Sequence, residues 1–507
     1  MSTSTAADPL TVRTTPGVLH GSTRDGVRRW MGIPYAEPPV GDLRWRAPRP
    51  ARPWRGVRDA TTPGAAEPQV PNPFTGGIGR RVPQSEDCLT LNVFAPEHAD
   101  DLPVMVWIHG GAYRSGAGGI PEYDGTRLAQ LGVVVVTISY RLGVFGSMDL
   151  TSVVDSDANC TMRDQIAALE WVRDEIRAFG GDPGRITIAG ESSGGNAVTT
   201  LLAAPATHGI VAGAIAQSPH PMTSHTPAKK AEHAVALAER LGLDPATTDR
   251  TALGRAMRAV PAPRLQAVAA ELDDDVTRVT PLVAVFSPTI DGDVLPEHPL
   301  AAAHAGRNAQ VPLVIGTNRD EESIFRHART PILPNTEDRV RLLVEGTDPA
   351  AWDRIRAVYA DGARDWSGAG VDGVFHVPST EFAEAHAAAG NPVWMYRYDH
   401  ASPLMRAAGL GAAHGTELPY LFGAFRTPIG RIVAGTDLPR VRRRLHDVLA
   451  GSWTAFVRDG APSHRGWSWP RYEESSRSVL SIDTVSRVLH DPHPEVRRAW
   501  TGVTYDY

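Results

Sequence analysis

Cysteine is almost absent. Two residues, Cys88 and Cys160, occur in 507, which excludes a disulfide-rich secreted scaffold. A chain of this length buries enough core to need neither disulfides nor a structural metal. Long apolar runs are missing too. The longest, Val133–Ile138, falls far short of the roughly 20 residues that span a bilayer. The first residues, Met1–Asp8, lack the basic and then apolar segments of a secretory leader. Charge of one sign is scarce: 51 Lys+Arg against 57 Asp+Glu leave a net −6, no footprint for nucleic acid. Metal and phosphate motifs are also missing, with no H-E-x-x-H, C-x-x-C or P-loop, so no metal or cofactor is expected. Low-complexity tracts and internal repeats are lacking, and 42% hydrophobic with 21% charged residues excludes a disordered chain. These absences describe a soluble, cytoplasmic globular protein with no membrane anchor and no nucleic-acid partner. They leave its oligomeric state open.

What is present is punctuation. The chain holds 48 Gly and 42 Pro, and proline is dense over the first hundred residues, where short strands and loops are expected rather than long helices. The pattern then changes. Val104–Ile108 and Val133–Ile138 are short, nearly continuous apolar runs, as for strands buried on both faces. Ile186–Ala189, Ala214–Ala216, Pro312–Ile315 and Val393–Tyr398 continue the series. Between them, Ile166, Leu169, Val172, Ile176 and Phe179 recur at three or four residues, predicting a helix over 164–179 that Gly180-Gly181 and Pro183 end. Strands alternating with helices define an α/β class with a large, mostly parallel central sheet. Two alanine-rich helical stretches, about 224–271 and 323–389, interrupt the strands. Strand patterns resume after each, so both read as helical insertions forming a lid or pocket wall within a single domain spanning 1–507; separate domains are the weaker alternative.

Gly190-Glu-Ser192-Ser-Gly194 follows the strand Ile186–Ala189 and precedes an apolar helical stretch, Ala197–Ala204. Chance alone yields G-x-S-x-G in about one chain in four of this composition. The setting carries the weight: a nucleophile must be held out at a strand end on a turn too tight for bulky neighbours. The helix beginning there also aims N–H groups at developing negative charge. Only Ser192 has glycines at the required offsets; Ser193 is adjacent. The bland reading is a glycine-rich turn with a capping serine. His109-Gly110-Gly111-Ala112 leaves the end of Val104–Ile108, and small residues there let backbone N–H groups approach a ligand closely. Such donors are worth about 3 kcal/mol each at an oxyanion. The expected donors are Gly111, Ala112 and Ser193; a plain Gly-Gly turn is the alternative for the first two.

Together with Gly32–Gly41, Ser85–Val93, Trp107–Tyr113, Tyr140–Gly146, Asp164-Gln165, Phe179–Pro183, Gly190–Gly195, Gly316–Glu321 and His414–Glu417, these segments resemble the type-B carboxylesterase family of α/β-hydrolases. That family includes bacterial para-nitrobenzyl-type esterases and the cholinesterases, and the likeness runs in order from about residue 17 to 500. The resemblance implies an α/β-hydrolase fold and a Ser-His-Glu triad of Ser192, His414 and Glu321. An acid is needed to hold the imidazole in its useful tautomer; spacing alone leaves Asp320, Glu322 and Asp291 beside Glu321, and leaves His400 beside His414. The family pattern selects Glu321 and His414. Glu417 and Ser218 are candidates for supporting roles.

Departures narrow the reading. Cys88 has no earlier cysteine to pair with, unlike the secreted members, which fits a reducing compartment; two isolated buried thiols are expected, with a Cys88–Cys160 bridge the alternative. No tryptophan occurs between Gln69 and Cys88 to hold a quaternary ammonium, so choline esters are not the expected substrate. Thr90 stands for the usual tyrosine, and Ala112 for a glycine whose N–H alone is needed. Trp352, Trp366 and Phe375 in the insertions are candidates to line the pocket, with core packing the expected role for each. The expected activity is cleavage of small uncharged carboxylic esters through an acyl-enzyme. Carbamate or amide cleavage of xenobiotics by the same triad is the first alternative, and a non-catalytic cholinesterase-like binding module the second.

Overall fold

The computed structural model describes residues 8–70, 78, 82–280, 284–326, 333–345, 348–360, 365–462 and 468–503. Most of the leader reading, residues 1–7, lies outside them, as do parts of the second helical stretch. Eleven strands form one sheet: β1 (Ser22–Arg24), β2 (Val27–Pro34), β3 (Thr90–Pro96), β4 (Leu102–Ile108), β5 (Val134–Ile138), β6 (Gly181–Glu191), β7 (Val211–Gln217), β8 (Leu313–Asn318), β9 (Val393–Tyr398), β10 (Ser478–Ile482) and β11 (Arg487–His490). Their spatial order is β11-β10-β9-β8-β7-β6-β4-β5-β3-β2-β1. From β5 across to β10 every neighbouring pair is parallel. The flanking strands β3, β2, β1 and β11 join antiparallel. A small three-stranded sheet of Thr11–Arg13, Val18–His20 and Val57–Asp59 stands apart near the N-terminus.

The period-2 geometry of a strand explains why these runs are apolar on both sides. In β4, Val104, Val106 and Ile108 enter the core on one face, while Met105 and Trp107 enter the core on the other. β8 divides the same way, Leu313 and Ile315 against Val314. Burying each such side chain contributes about 1.5–3 kcal/mol, so a strand with no polar face is stable only between two helical layers.

Several boundaries differ from the sequence expectation. The helix predicted over 164–179 begins earlier, at Cys160, and its last turn, Ile176–Phe179, tightens to 3-10 form before Gly180 ends it at φ 86°. The strand expected at Ile186–Ala189 extends over Gly181–Glu191 and contains Pro183. Its pairing with β4 jumps from Leu102↔Gly181 to Val104↔Ile186, so the proline sits in an irregularity where no ladder donor is required. Strands β10 and β11 were not anticipated; Ser478 and Ser481 break the apolar signal of the former. Between β7 and β8 run helices Pro227–Arg240, Arg250–Ala259 and Ala262–Val279. Between β8 and β9 run Glu337–Glu345, Trp352–Tyr359, Trp366–Val371 and Val377–Ala388. Among the described residues no helix is long and apolar enough to cross a membrane.

Because β4, β6, β8 and β9 are parallel, their carboxyl ends lie on one edge of the sheet. The order reverses between β6, β4 and β5, and the crevice beyond such a reversal is where open α/β sheets bind ligands. The loops bearing His109–Ala112, Ser192, Glu321 and His414 all leave from that edge.

Candidate active site

Ser192 stands between the end of β6 and the helix Ser193–Leu202, with φ 59° and ψ −125°. Such a backbone costs a non-glycine residue about 1–3 kcal/mol and survives only where surrounding structure imposes it. The neighbours show what imposes it. A Cβ on Gly190 would come within 2.5 Å of the Gly194 carbonyl oxygen, and one on Gly194 would collide with the Ile108 carbonyl. The turn therefore folds back on itself against β4. The Ser192 N–H donates to the Gln217 carbonyl at 2.9 Å, tying the turn to β7. Ser192 is partly exposed, whereas Ser193 is fully buried and its hydroxyl accepts from the Tyr113 N–H at 3.2 Å. The two adjacent serines are thereby distinguished: only the first offers a free hydroxyl.

After β4, three consecutive residues take positive φ: Gly111 at 122°, Ala112 at 54° and Tyr113 at 54°. A Cβ on Gly111 would strike the Ser115 carbonyl, so glycine is required there, while Ala112 is accommodated. The loop is pinned by Tyr113, whose carbonyl accepts from the Gly143 N–H at 2.7 Å and whose hydroxyl donates to Asn196 at 2.8 Å. Among the described residues, the N–H groups of Gly111, Ala112 and Ser193 donate to no other protein group. His109 is buried, stacked on Tyr140, and its pKa is lowered to about 4 by burial.

Glu321 and His414, 93 positions apart, meet with Oε2 to Nδ1 at 2.5 Å. Glu321 is wholly buried. Burial opposes its charge, but the imidazole of His414 outweighs that and holds its carboxyl below the ordinary range. Its other oxygen accepts from the Asn318 N–H at 2.7 Å, and the Ser218 hydroxyl lies beside it. The rival acids are engaged elsewhere: Asp320 accepts from Ala412 N–H and pairs with Arg319, Glu322 pairs with Arg326, and Asp291 caps a turn at Asp293 and Leu295. His400 is held between Asp437 at 2.9 Å and Asp483 at 3.1 Å, away from this cluster.

The remaining ring nitrogen of His414, Nε2, makes no hydrogen bond among the described residues and lies 3.2 Å from Oε1 of Glu191. No bond joins it to the Ser192 hydroxyl, a contact that in such sites tightens only when substrate is present. Glu191 was not singled out from sequence. It occupies the variable position of the G-x-S-x-G pattern, which carries no information about what the side chain meets. Here it faces Gly110 on one side and His414 with Gly415 on the other. Burial raises its pKa strongly, as burial does for Glu417. Glu191, Glu321 and Glu417 share one desolvated pocket, and like charges that close cannot all be ionised. Glu321, bonded to the imidazole, is held down, while burial pushes Glu191 and Glu417 up.

Glu417 Oε2 accepts from Asn318 Nδ2 at 2.7 Å, and its Oε1 from Gln217 at 2.9 Å. Asn318, also unanticipated, donates from the same Nδ2 to the Ala413 carbonyl at 2.6 Å, so one side chain braces both the acid and the loop bearing His414. Phe375 and Phe325 pack on the His414 ring with centroids at 5.2 and 5.3 Å. Trp352 and Trp366 stack on each other at 5.8 Å, as core packing requires. Both cysteines are free and buried, but Cys88 is not isolated: its thiol donates to the buried carboxylate of Glu67 at 2.7 Å.

A parallel-centred sheet with a strained serine turn at one strand end and a His–Glu pair on later loops defines an α/β-hydrolase. The comparisons with known proteins agree. Residues 8–500 match the carboxylesterase family. The para-nitrobenzyl esterase of Bacillus subtilis is 36% identical over 494 residues, covering 96% of this chain and 97% of that one. The phenmedipham hydrolase of Pseudarthrobacter oxydans is 36% identical, covering 94% and 96%. A solved structure of a PNB esterase superposes with a TM-score of 0.88 at 35% identity, covering 97% of this chain and 99% of that chain. The chain belongs to the carboxylesterase family and is an enzyme of the carboxylic-ester hydrolase class.

Proposed function

We propose that the chain, acting as one catalytic domain, hydrolyses small uncharged carboxylic esters through an acyl-enzyme on Ser192. The observation that carries this reading is the 2.5 Å contact of Glu321 with His414 on the sheet edge where Ser192 is held at positive φ. His414 Nε2 takes the Ser192 proton as the oxygen attacks the acyl carbon. Glu321 keeps the other nitrogen protonated and stabilises the imidazolium that forms. The tetrahedral oxyanion is received by the N–H groups of Gly111, Ala112 and Ser193, which have no competing acceptor. His414 then protonates the departing alcohol, and a water activated by the same nitrogen releases the acid. Free, buried Cys88 and Cys160 suit a cytoplasmic setting.

The test is Ser192→Ala assayed on a para-nitrophenyl ester. Hydrolysis should fall by about 10⁴-fold or more with the thermal transition unchanged, and an organophosphonate should label the wild type but not the variant. Retained turnover would end the proposal. Matched ester, carbamate and anilide substrates should be turned over in that descending order, because the amine is the poorest leaving group; an anilide preferred over its ester would reassign the activity.

A further inference from the structure

The segment Asp372–His376 winds as a single π-helical turn between Trp366–Val371 and Val377–Ala388, an uncommon form found often at functional sites. Phe375 on this turn packs against His414. The next residue, His376, has its ring largely buried, and each of its nitrogens faces an acceptor. Nδ1 lies 2.8 Å from Asp372 Oδ1, and Nε2 lies 3.0 Å from the Asn318 carbonyl oxygen. A neutral imidazole has one N–H, so only the imidazolium satisfies both. Asn318 is the residue whose N–H holds Glu321 and whose amide holds the Ala413 carbonyl.

Resting on the reading of Ser192, Glu321 and His414 above, we propose that His376 is a positioning residue, an imidazolium strut that fixes Asn318, and through it Glu321 and His414, while holding Phe375 against the His414 ring.

The charges around it favour that form. Burial opposes the cation, yet the Asp372 carboxylate, the Asn318 carbonyl and Glu321 outweigh it and raise the pKa of His376. Asp372 is itself braced by the Tyr359 hydroxyl at 2.9 Å. On the 3-10 turn Glu321–Ile324, Glu321 and Glu322 are the acidic neighbours. On the other side a cavity of about 70 Å³ also borders Arg397, Arg477, Arg497, Asp491 and His493. Each arginine there is already paired, with Asp399, Glu384 and Asp491 respectively, and His493 contacts Arg397. The phenols of Tyr396 and Tyr472 on the same wall are held neutral by burial. The acids nearest His376 are therefore not cancelled by these cations.

The experiment measures kcat and KM against pH for the full-length enzyme with active sites counted by phosphonate labelling. In the wild type, kcat should decline at alkaline pH as His376 loses its proton. In His376→Gln, which keeps one donor and cannot titrate, kcat should fall roughly tenfold with KM within twofold, and the alkaline decline should vanish. Asp372→Asn removes the carboxylate that raises the pKa, so the decline should move to lower pH. Unchanged kcat per labelled site in His376→Gln, or an unmoved alkaline limb in Asp372→Asn, overturns the proposal. If His376→Gln does not fold, the Asp372→Asn profile decides alone. Loss of phosphonate labelling and ester turnover in the wild type would instead mark failure of the Ser192 reading.

Discussion

Glu191 Oε1 and His414 Nε2 lie 3.2 Å apart, placing a buried carboxyl beside the nitrogen proposed to take the Ser192 proton. The acidic residue directly before Ser192 thus touches the imidazole on which the proposed chemistry depends.

Replacing it tests that relationship. The His414 pKa is opposed by burial and raised by Glu191 first and Glu321 next. Glu191→Gln keeps the shape and removes one source of negative charge, so the His414 pKa should fall. A base must be unprotonated to act, and the acidic limb of kcat/KM should therefore shift to lower pH. A limb that stays in place would show that Glu191 carries no charge over that range.

The pair Arg141–Asp164 is a second buried charge relationship, distant in role from the chemistry. Two contacts of 2.7 Å join the guanidinium to the carboxylate, and a third of 3.1 Å comes from the Arg141 N–H. Both side chains are almost fully buried. Asp164→Ala strands the arginine in a low-dielectric interior, which should cost about 3–5 kcal/mol. Urea unfolding should show a lower midpoint; a loss under 1 kcal/mol would mean that water reaches Arg141.

His400 predicts a pH dependence of stability. Burial lowers its pKa, but Asp437 and Asp483 outweigh burial and raise it above the ordinary value. The stabilisation is therefore fully present below the unfolded-state value, about 6.5. It is lost as pH rises through the folded-state value. In His400→Gln the melting temperature should lose this alkaline decline while remaining lower than wild type at pH 6. A wild-type-like slope would place the titration elsewhere.

Motif order made much of the candidate site's geometry legible. Ser192, Gly111 and Ala112 each lie in a short pattern whose residue types follow from local demands: small neighbours for a strained turn, glycine where a Cβ would collide. Glu321 and His414 came only from the family resemblance, because spacing left Asp320, Glu322, Asp291 and His400 open. Local demands say nothing of what lies across the pocket. Glu191 occupies an unconstrained motif position, and Asn318 ends a strand like any polar residue. Asp372 and His376 fall in an alanine-rich helical stretch whose π turn has no compositional mark. The strand Ser478–Ile482 escaped for a related reason: its serines are satisfied by neighbours that the linear pattern cannot show, Ser481 by Asp399 at 2.6 Å.

From the amino-acid order alone came the class of sheet and the serine turn, because backbone sterics and apolar periodicity act between residues close in the chain, and the family, through the resemblance of its motifs. Only the tertiary structure decided which carboxyl reaches the His414 ring, which acids burial pushes up around it, and what braces Asn318 from behind. Those outcomes depend on distances and desolvation between groups far apart in the chain, such as Gln217 and Glu417 at 200 positions, and the field at a buried charge is set by everything packed around it.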